Sequence, residues 1–323
     1  MSEAAQAGPA PGQDGHGAGV ALTGAQYDIG AGDYAATVTE LGAGLRSLSY
    51  RGRPVVTGYG ADEVPPAGAG QLLLPWPNRI DGGRYEFDGA QYQLELSEAA
   101  RGNAIHGLTR WASWQPARVA ADAVTLTLAL LGRPGYPFCL RLSATYRLDP
   151  DSGLTVAVTS SNAGSRPAPY GTGSHPYLTT GEPTVDGCEL RIPADRWLPT
   201  DDRGIPAGPP RDVTGSDYDF RAARRVGDVR LDHALTGLAR DQSGRARATL
   251  AGRDMRLLLW AGPGYDWLQV FTGDGLAPAQ RRRALAIEPM TCPPNAFVTG
   301  DGRLTLAPGE SVAHHWGIQA AQP

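Results

Sequence analysis

The chain has 323 residues, a mass of 34.0 kDa and a formal net charge of −4 at pH 7. This near-neutral balance argues against a general nucleic-acid-binding surface, and no apolar run approaches the roughly 18 residues that a membrane helix needs. We therefore expect neither nucleic acid nor a membrane as partner. All 29 basic side chains are arginines, which excludes chemistry that depends on a lysine, such as a Schiff base or a P-loop.

The N-terminal segment differs in composition from the rest. Residues 1–18 are rich in alanine, glycine, proline and glutamine without periodicity, which predicts a disordered tail. Residues 19–323 show no composition break, so we expect a single domain there. No basic and apolar leader is present, and Cys139, Cys188 and Cys292 are widely dispersed. We expect a cytoplasmic protein with reduced thiols, present as a monomer or homodimer.

Short apolar segments, several of them strictly alternating, recur along the chain between turns rich in glycine and proline. They predict strands at 34–40, 45–50, 124–130, 140–148, 154–159, 256–260, 267–272, 285–287, 304–306 and 311–318. The best helical candidate is 219–225, which is short and rich in arginine. The polar stretch 199–219 predicts a long loop, and long loops in compact domains are often functional. The sequence therefore predicts an all-β fold, a large antiparallel β-sandwich.

The histidines are few and show no metal-binding pattern. No HxH or HExxH spacing is present, so we expect no bound metal. No glycine-rich dinucleotide turn opens a helix, and no GxSxG elbow is present. His314 and His315 lie in the last predicted strand and are interpreted as packing or surface residues. His106, His175 and His233 lie in loop-like contexts, where functional residues concentrate.

Four segments combine unusual residues in a fixed order. They are 74–80 (LPWPNRI), 103–108 (NAIHGL), 173–178 (GSHPYL) and 287–291 (IEPMT). The first is followed by 83–89 (GRYEFDG), which has the pattern of a hairpin. In order and spacing, these segments resemble the aldose 1-epimerase (galactose mutarotase) family from about residue 25 to 318. The resemblance implies the galactose mutarotase-like supersandwich, a large antiparallel β-sandwich, in agreement with the strand pattern.

The resemblance also implies a role for each matched residue. Glu288 in IEPMT matches the family's catalytic base, and His175 in SHPYL matches its catalytic acid. The residues implied to bind the substrate, a small sugar, are Arg79, His106, Asp232, Asn78, Tyr177 and Gln269. Trp76 and Phe297, together with Tyr177, are aromatic candidates for packing on the C–H face of the sugar. The family's reaction needs no cofactor, and we expect none.

The reaction explains why these residue types are needed. A base takes the proton of the anomeric hydroxyl while an acid protonates the ring oxygen, and the open aldehyde rotates about C1–C2 before it recloses. An unperturbed glutamate titrates near pH 4.3 and a histidine near pH 6.5. We therefore expect an ionised Glu288 and a protonated His175 at the start of the reaction.

Two departures from the galactose mutarotases leave the substrate open. Pro176 follows the catalytic histidine, and Leu108 stands where those proteins have the second glycine of HGG. Here the chain is more similar to family branches that act on hexose 6-phosphates or sulfonated sugars, in which Arg110 and Arg79 would bind the anion. We expect a neutral hexose such as galactose or glucose, because no lysine or phosphate-binding glycine loop is present. A phosphorylated or sulfonated hexose is the alternative, and a catalytically silent carbohydrate-binding protein is the third hypothesis.

Overall fold

The structure is a computed structural model that describes residues 19–322. The predicted tail, residues 1–18, lies outside this range. The strands are, in chain order, β1 (Gln26–Ala31), β2 (Tyr34–Thr39), β3 (Leu45–Tyr50), β4 (Arg53–Val56), β5 (Leu72–Leu73), β6 (Arg79–Asp81), β7 (Arg84–Phe87), β8 (Ala90–Gln93), β9 (Asn103–Ile105), β10 (Gln115–Val119), β11 (Ala123–Leu130), β12 (Leu140–Asp149), β13 (Gly153–Asn162) and β14 (Ala168–Tyr170). They continue with β15 (Gly173–Ser174), β16 (Tyr177–Leu178), β17 (Glu189–Arg191), β18 (Ala194–Trp197), β19 (Arg211–Asp212), β20 (Arg224–Arg225), β21 (Asp232–Leu238), β22 (Ala246–Ala251), β23 (Arg256–Ala261), β24 (Trp267–Phe271), β25 (Leu285–Met290), β26 (Leu304–Leu306) and β27 (Ser311–Ala321). The helical segments are α1 (Ala296–Thr299) and the 3₁₀ turns Pro66–Gly68, Ala99–Arg101 and Val185–Gly187.

Most strands belong to two large sheets. The first has the order β1-β2-β3-β4-β16-β25-β24-β21-β18-β19, and β15 joins it by pairing with both β25 and β5. The second has the order β10-β11-β12-β13-β27-β23-β22-β17-β20. Neighbouring strands run antiparallel, and one hydrophobic cluster contains residues of both sheets, from Ile29 in β1 to Ile318 in β27. The predicted all-β fold with large antiparallel sheets is confirmed.

Alternation along the sequence decides which side chains enter the core. In β12, Leu142, Ala144 and Tyr146 are buried, whereas the residues between them are partly or fully exposed. Successive side chains of a strand point to opposite faces, so this period of two buries one face only. The Tyr146 hydroxyl donates a hydrogen bond to Ala43 O at 2.6 Å, which links the second sheet to the turn between β2 and β3 of the first.

The predicted helix at 219–225 is wrong. The chain instead makes a turn and enters β20, which pairs with β17. The Asp219 carboxylate accepts hydrogen bonds from both the backbone and the side chain of Arg221, and Arg224 Nε donates to Asp219 O at 2.9 Å. Such local bonds between side chains and backbone compete with helix formation. In the described part of the chain, the only α-helical segment is Ala296–Thr299.

The centre of the first sheet brings distant parts of the sequence together. Strands β16, β25, β24 and β21 are successive neighbours, and their register places Gln269 directly opposite Glu288. Strand β21 begins at Asp232, next to these two residues. The small sheet of β6 and β9 pairs Arg79 with Ile105, so that Arg79 lies beside the residue that follows β9. The fold therefore assembles one polar site from six separate strands.

The bond between Tyr146 and Ala43 leads to a stability prediction. We expect Tyr146→Phe to lower the free energy of unfolding by about 1–3 kcal/mol, because a buried carbonyl loses a hydrogen-bond donor. Urea denaturation measures this change. Tyr50→Phe, which removes the hydroxyl of a partly buried tyrosine, is the control and should change stability less. Equal stability of the two variants would contradict the prediction.

Candidate active site

A cavity of about 780 Å³ opens over the centre of the first sheet. The eight residues predicted to form the site all line it: Asn78, Arg79, His106, His175, Tyr177, Asp232, Gln269 and Glu288. They come from segments as far apart as residues 78 and 288, which the strand order described above brings together.

Two titratable side chains meet inside this cavity. His175 Nε2 lies 3.3 Å from Glu288 Oε1, and the two side chains are only 6% and 2% exposed. The backbone of His175 is fixed on both sides, because its N–H donates to Gln71 O and its carbonyl accepts from Gly70 N. The Tyr177 ring stacks on the imidazole with 4.9 Å between ring centroids. The acid–base pair is therefore held in place before any ligand binds.

Several polar atoms around this pair have no partner. Within residues 19–322, His175 Nδ1, Glu288 Oε2 and Gln269 Oε1 are buried and make no hydrogen bond. An unsatisfied buried polar group costs about 1–3 kcal/mol. A ligand with several hydroxyl groups would supply the missing donors and acceptors.

Burial shifts both members of the pair toward their neutral forms. It raises the pKa of Glu288 well above its usual value, and the nearby Asp232 carboxylate adds to the rise. It lowers the pKa of His175, and the positive charges of Arg110 and Arg79 lower it further. Because desolvation disfavours charge, the favoured state has one proton on Glu288 and a neutral imidazole. These shifts run against an ionised Glu288 beside a protonated His175 in the protein alone; the expectation of that state at the start of the reaction stays a prediction.

His106 is held as a neutral hydrogen-bond donor. Its Nδ1 accepts the backbone N–H of Asn78 at 3.2 Å, so the proton of the neutral ring lies on Nε2. Burial lowers the pKa of His106 well below its usual value. The backbone turns sharply here, with φ of 61° at His106 and 73° at Gly107. A Cβ atom at Gly107 would lie 1.9 Å from Leu74 O, so only glycine fits this position.

Arg79 presents a guanidinium group fixed by two neighbours. Its Nε and Nη2 donate to the two carboxylate oxygens of Glu98 at 2.8 and 3.0 Å. The Asn78 side-chain oxygen accepts from Arg79 N at 3.0 Å and from Nη1 at 3.4 Å. Asn78 therefore organises both Arg79 and His106. Sequence reasoning missed Glu98, because nothing in the polar stretch around it distinguishes it from its neighbours.

Asp232 and Gln269 form a second polar pair in the cavity. Gln269 Nε2 donates to Asp232 Oδ1 at 2.7 Å, which orients the amide so that its oxygen is the unpartnered atom named above. A carboxylate accepts more than one hydrogen bond, so Asp232 keeps capacity for the hydroxyl groups of a ligand.

The aromatic residues are placed differently from the prediction. Trp76 and Phe297 do not line the cavity: they are each 1% exposed and pack on one another in the core. Tyr177 does line it, but its hydroxyl donates to Ala67 O, and its ring supports His175. The missed aromatic residues are Phe271, which also lines the cavity, and Trp111, 52% exposed at the rim, where the Arg110 guanidinium lies 5.2 Å from its ring. For Trp111, the position just after the NAIHGL segment was the signal that the sequence offered.

Three further observations concern metal ligands, membrane-spanning helices and the cysteines. Among residues 19–322, no group of three or more histidine, cysteine, aspartate or glutamate side chains is placed to hold a metal ion. No helix in this range is long and apolar enough to cross a membrane. The three cysteines are free thiols. The oligomeric state, the cellular location and the independence from a cofactor stay predictions.

The comparisons with known proteins agree with this fold. The family model described as aldose 1-epimerase matches residues 25–319, so the chain belongs to the aldose 1-epimerase family. It is 36% identical to the uncharacterized protein YihR of Escherichia coli K12, over 89% of this chain and 91% of that protein. It is 30% identical to human galactose mutarotase over 50% of this chain and 47% of that enzyme.

Solved structures share the fold at low sequence identity. A homologue of GalM and aldose epimerase from Caenorhabditis elegans superimposes with a TM-score of 0.82 at 20% identity, covering 92% of this chain and 99% of the other. The galactose 1-epimerase of Lactobacillus acidophilus gives a TM-score of 0.76 at 21% identity, covering 90% and 92% of the two chains.

The electrostatics of the pair predict its protonation state. Since burial lowers the pKa of His175, its imidazole should stay neutral from pH 7 down to about pH 5, where a free histidine is mostly protonated. NMR of the protein with ¹⁵N-labelled histidine reports this state directly. The resonance that disappears in His175→Asn identifies the ring. A protonated His175 at pH 6.5 would contradict the prediction.

Proposed function

We propose that the protein is a cofactor-independent aldose 1-epimerase that interconverts the α and β anomers of a hexose. The observation that carries the proposal is the buried pair of His175 and Glu288, 3.3 Å apart, with unpartnered polar atoms around it. Membership of the aldose 1-epimerase family supports the same reaction class. A silent carbohydrate-binding protein would not need an acid and a base in contact, so this third hypothesis is not favoured.

The reaction moves two protons and breaks one bond. The Glu288 carboxylate takes the proton of the anomeric hydroxyl, the C1 carbonyl forms as the bond from C1 to the ring oxygen breaks, and the His175 imidazolium protonates that oxygen. Rotation about C1–C2 presents the other face of the aldehyde. The same transfers then run in reverse and yield the other anomer, so that both residues regain their starting protonation.

The pair of His175 and Glu288 carries the same number of protons at rest as the reaction requires. The reaction starts from an ionised glutamate and a charged imidazole, and it reaches the open sugar with both groups neutral. The protein alone favours the neutral state, which has the same total number of protons and differs by one transfer across 3.3 Å. The proton must therefore pass from Glu288 to His175 before the sugar opens, and this transfer conserves the total number of protons.

The other cavity residues suit a hydroxylated ring. His106 offers its Nε2–H, Arg79 offers a fixed guanidinium, and Asp232 accepts from hydroxyl groups. Donors and acceptors at fixed positions hold the anomeric carbon beside the acid and the base, and such orientation is itself a major contribution to catalysis.

Substitution of the pair tests the proposed reaction. Glu288→Gln keeps the shape but removes the base, and we expect turnover to fall by about two to four orders of magnitude. His175→Asn should have a similar effect, and the double variant should lose little more, because the two transfers depend on each other.

The measurement is anomer-resolved NMR or polarimetry of freshly dissolved α-anomers, with galactose and glucose first. The exposed Glu189→Gln and His315→Asn are matched controls and should keep wild-type rates. Near-wild-type mutarotation by Glu288→Gln would show that the base lies elsewhere.

A second candidate substrate, a hexose that carries a phosphate or sulfonate group, is favoured by Arg110. Its guanidinium lines the cavity, and no carboxylate of residues 19–322 lies within 4.0 Å of it. Its nearest polar side-chain partner is Gln71 Oε1, at 3.5 Å. Burial of the Arg110 charge carries a desolvation cost that lowers its pKa, and Glu98, more than 4.0 Å away, offsets this cost only in part. An anionic substituent on the sugar would offset that cost by a charge-assisted hydrogen bond.

The variant Arg110→Ala distinguishes between a neutral and an anionic hexose as the substrate. If Arg110 binds an anion, kcat/KM for a hexose 6-phosphate or 6-sulfonate should fall by about tenfold or more, and much further than for galactose or glucose. Arg118→Ala, in the exposed strand β10, is the control for loss of positive charge. Equal losses with neutral and anionic sugars would leave the neutral hexose as substrate.

A further inference from the structure

We infer that Glu98 and the turn at Arg203–Gly204 form a support that positions the Arg79 guanidinium in the cavity. The inference rests on the proposed function, in which Arg79 binds oxygen atoms of the sugar. It assigns a role to Glu98 and to the loop at 199–219, for which the sequence predicted only a long connection of a kind that is often functional.

Glu98 fixes Arg79 through two parallel hydrogen bonds. Nε and Nη2 of Arg79 lie 2.8 and 3.0 Å from the two oxygens of Glu98. The side chains are only 11% and 20% exposed, so water screens the pair weakly. A bidentate pair fixes the plane of the guanidinium as well as its position. Nη1 is the nitrogen that Glu98 does not bind, and it therefore remains for Asn78 and the ligand.

Glu98 is itself held by a residue that the loop secures. Asn103 Nδ2 donates to Glu98 Oε2 at 3.1 Å, and Asn103 Oδ1 accepts from Arg203 Nη2 at 3.0 Å. Arg203 also donates to Asp81 Oδ1 at 2.7 Å and to Arg101 O at 2.9 Å. The loop is thus connected to Arg79 through Asn103 and Glu98 in one continuous set of hydrogen bonds.

The loop also contacts Arg79 directly. Gly204 has φ of 75°, and a Cβ atom built there would lie 2.7 Å from Nη1 and 2.9 Å from Cζ of Arg79. The backbone of the turn therefore lies against the guanidinium, and any larger residue would displace it. Asp201 stabilises the turn, because its carboxylate accepts from the backbone N–H groups of Arg203 and Ile205, both at 2.9 Å.

The first test removes the charge of Glu98. We expect Glu98→Gln to lower kcat/KM for the sugar by about tenfold, mainly through a higher KM, because His175 and Glu288 are unchanged. Glu98→Asp keeps the charge and should recover part of the loss. Glu95→Gln, an exposed glutamate of the same segment, is the matched control. Identical KM values for Glu98→Gln and Glu95→Gln would overturn the inference.

The second test uses two glycines of the loop with the same backbone geometry. Gly204 and Gly215 have φ of 75° and 74°, but no atom lies within 4 Å of a Cβ built at Gly215. Alanine at either position introduces similar backbone strain, so Gly215→Ala controls for that strain without the contact to Arg79. Only Gly204→Ala should raise KM for the sugar. An equal KM in both variants would show that the loop does not position Arg79.

A third measurement keeps the inference separate from the proposed function. Phenylglyoxal modifies arginine side chains, and mass spectrometry of peptides follows the rate at Arg79 without any sugar turnover. The rate at Arg79 should rise several-fold in Glu98→Gln and stay unchanged in Glu95→Gln. A wild-type protein without mutarotase activity would refute the proposed function, whereas an unchanged rate at Arg79 would refute the support by Glu98.

Discussion

The burial of an acid and a base in direct contact is the constraint on which the rest of this structure depends. His175 and Glu288 are almost fully buried, and within residues 19–322 His175 Nδ1 and Glu288 Oε2 have no hydrogen-bond partner, so the backbone must hold both residues in place. A broad antiparallel sheet meets this demand, because each strand is held on both sides by its neighbours. Glu288 lies in β25 between β16 and β24, and His175 directly follows β15, which also pairs with β25. The separation of the two groups is thereby set by the sheet and not by mobile loops.

The charges that line the cavity are only partly paired with groups of opposite sign. Arg79 faces Glu98, whereas Asp232 is a second carboxylate near Glu288 and raises its pKa. Burial is the largest cause of the raised pKa of Glu288, and Asp232 and Arg79 act on it in opposite directions. Arg110 stands outside this balance within the described residues, and for that reason it is the side chain that best separates the candidate sugars. Under the proposed function, proton transfer and substrate choice would therefore be carried by different charges of the same cavity.

The sequence predicted most of the strands because burial on one face leaves a period of two, as in β12 and β13. It predicted His175 and Glu288 through short motifs whose order is characteristic. The prediction of a helix at 219–225 is wrong because the side chains of Asp219 and Arg224 form hydrogen bonds with the nearby backbone, a preference that composition does not reveal. Trp76 and Trp111 are the same residue type, and only the tertiary packing decides that one is in the core and the other at the rim. The role of Glu98 depends on the pairing of β6 with β9 and on a loop a hundred residues away, so no local pattern could indicate it.

The use of arginine for every cation has a consequence for the open form of the sugar. Four arginines line the cavity, Arg79, Arg101, Arg110 and Arg230, and the whole chain contains no lysine. An open-chain aldose is an aldehyde, and a nearby primary amine would capture it as an imine. Guanidinium groups stay protonated at neutral pH and offer hydrogen bonds without a nucleophilic lone pair. If the protein opens an aldose as proposed, the aldehyde would meet no side-chain amine of this chain, and ring closure by its own hydroxyl would proceed without that competing reaction.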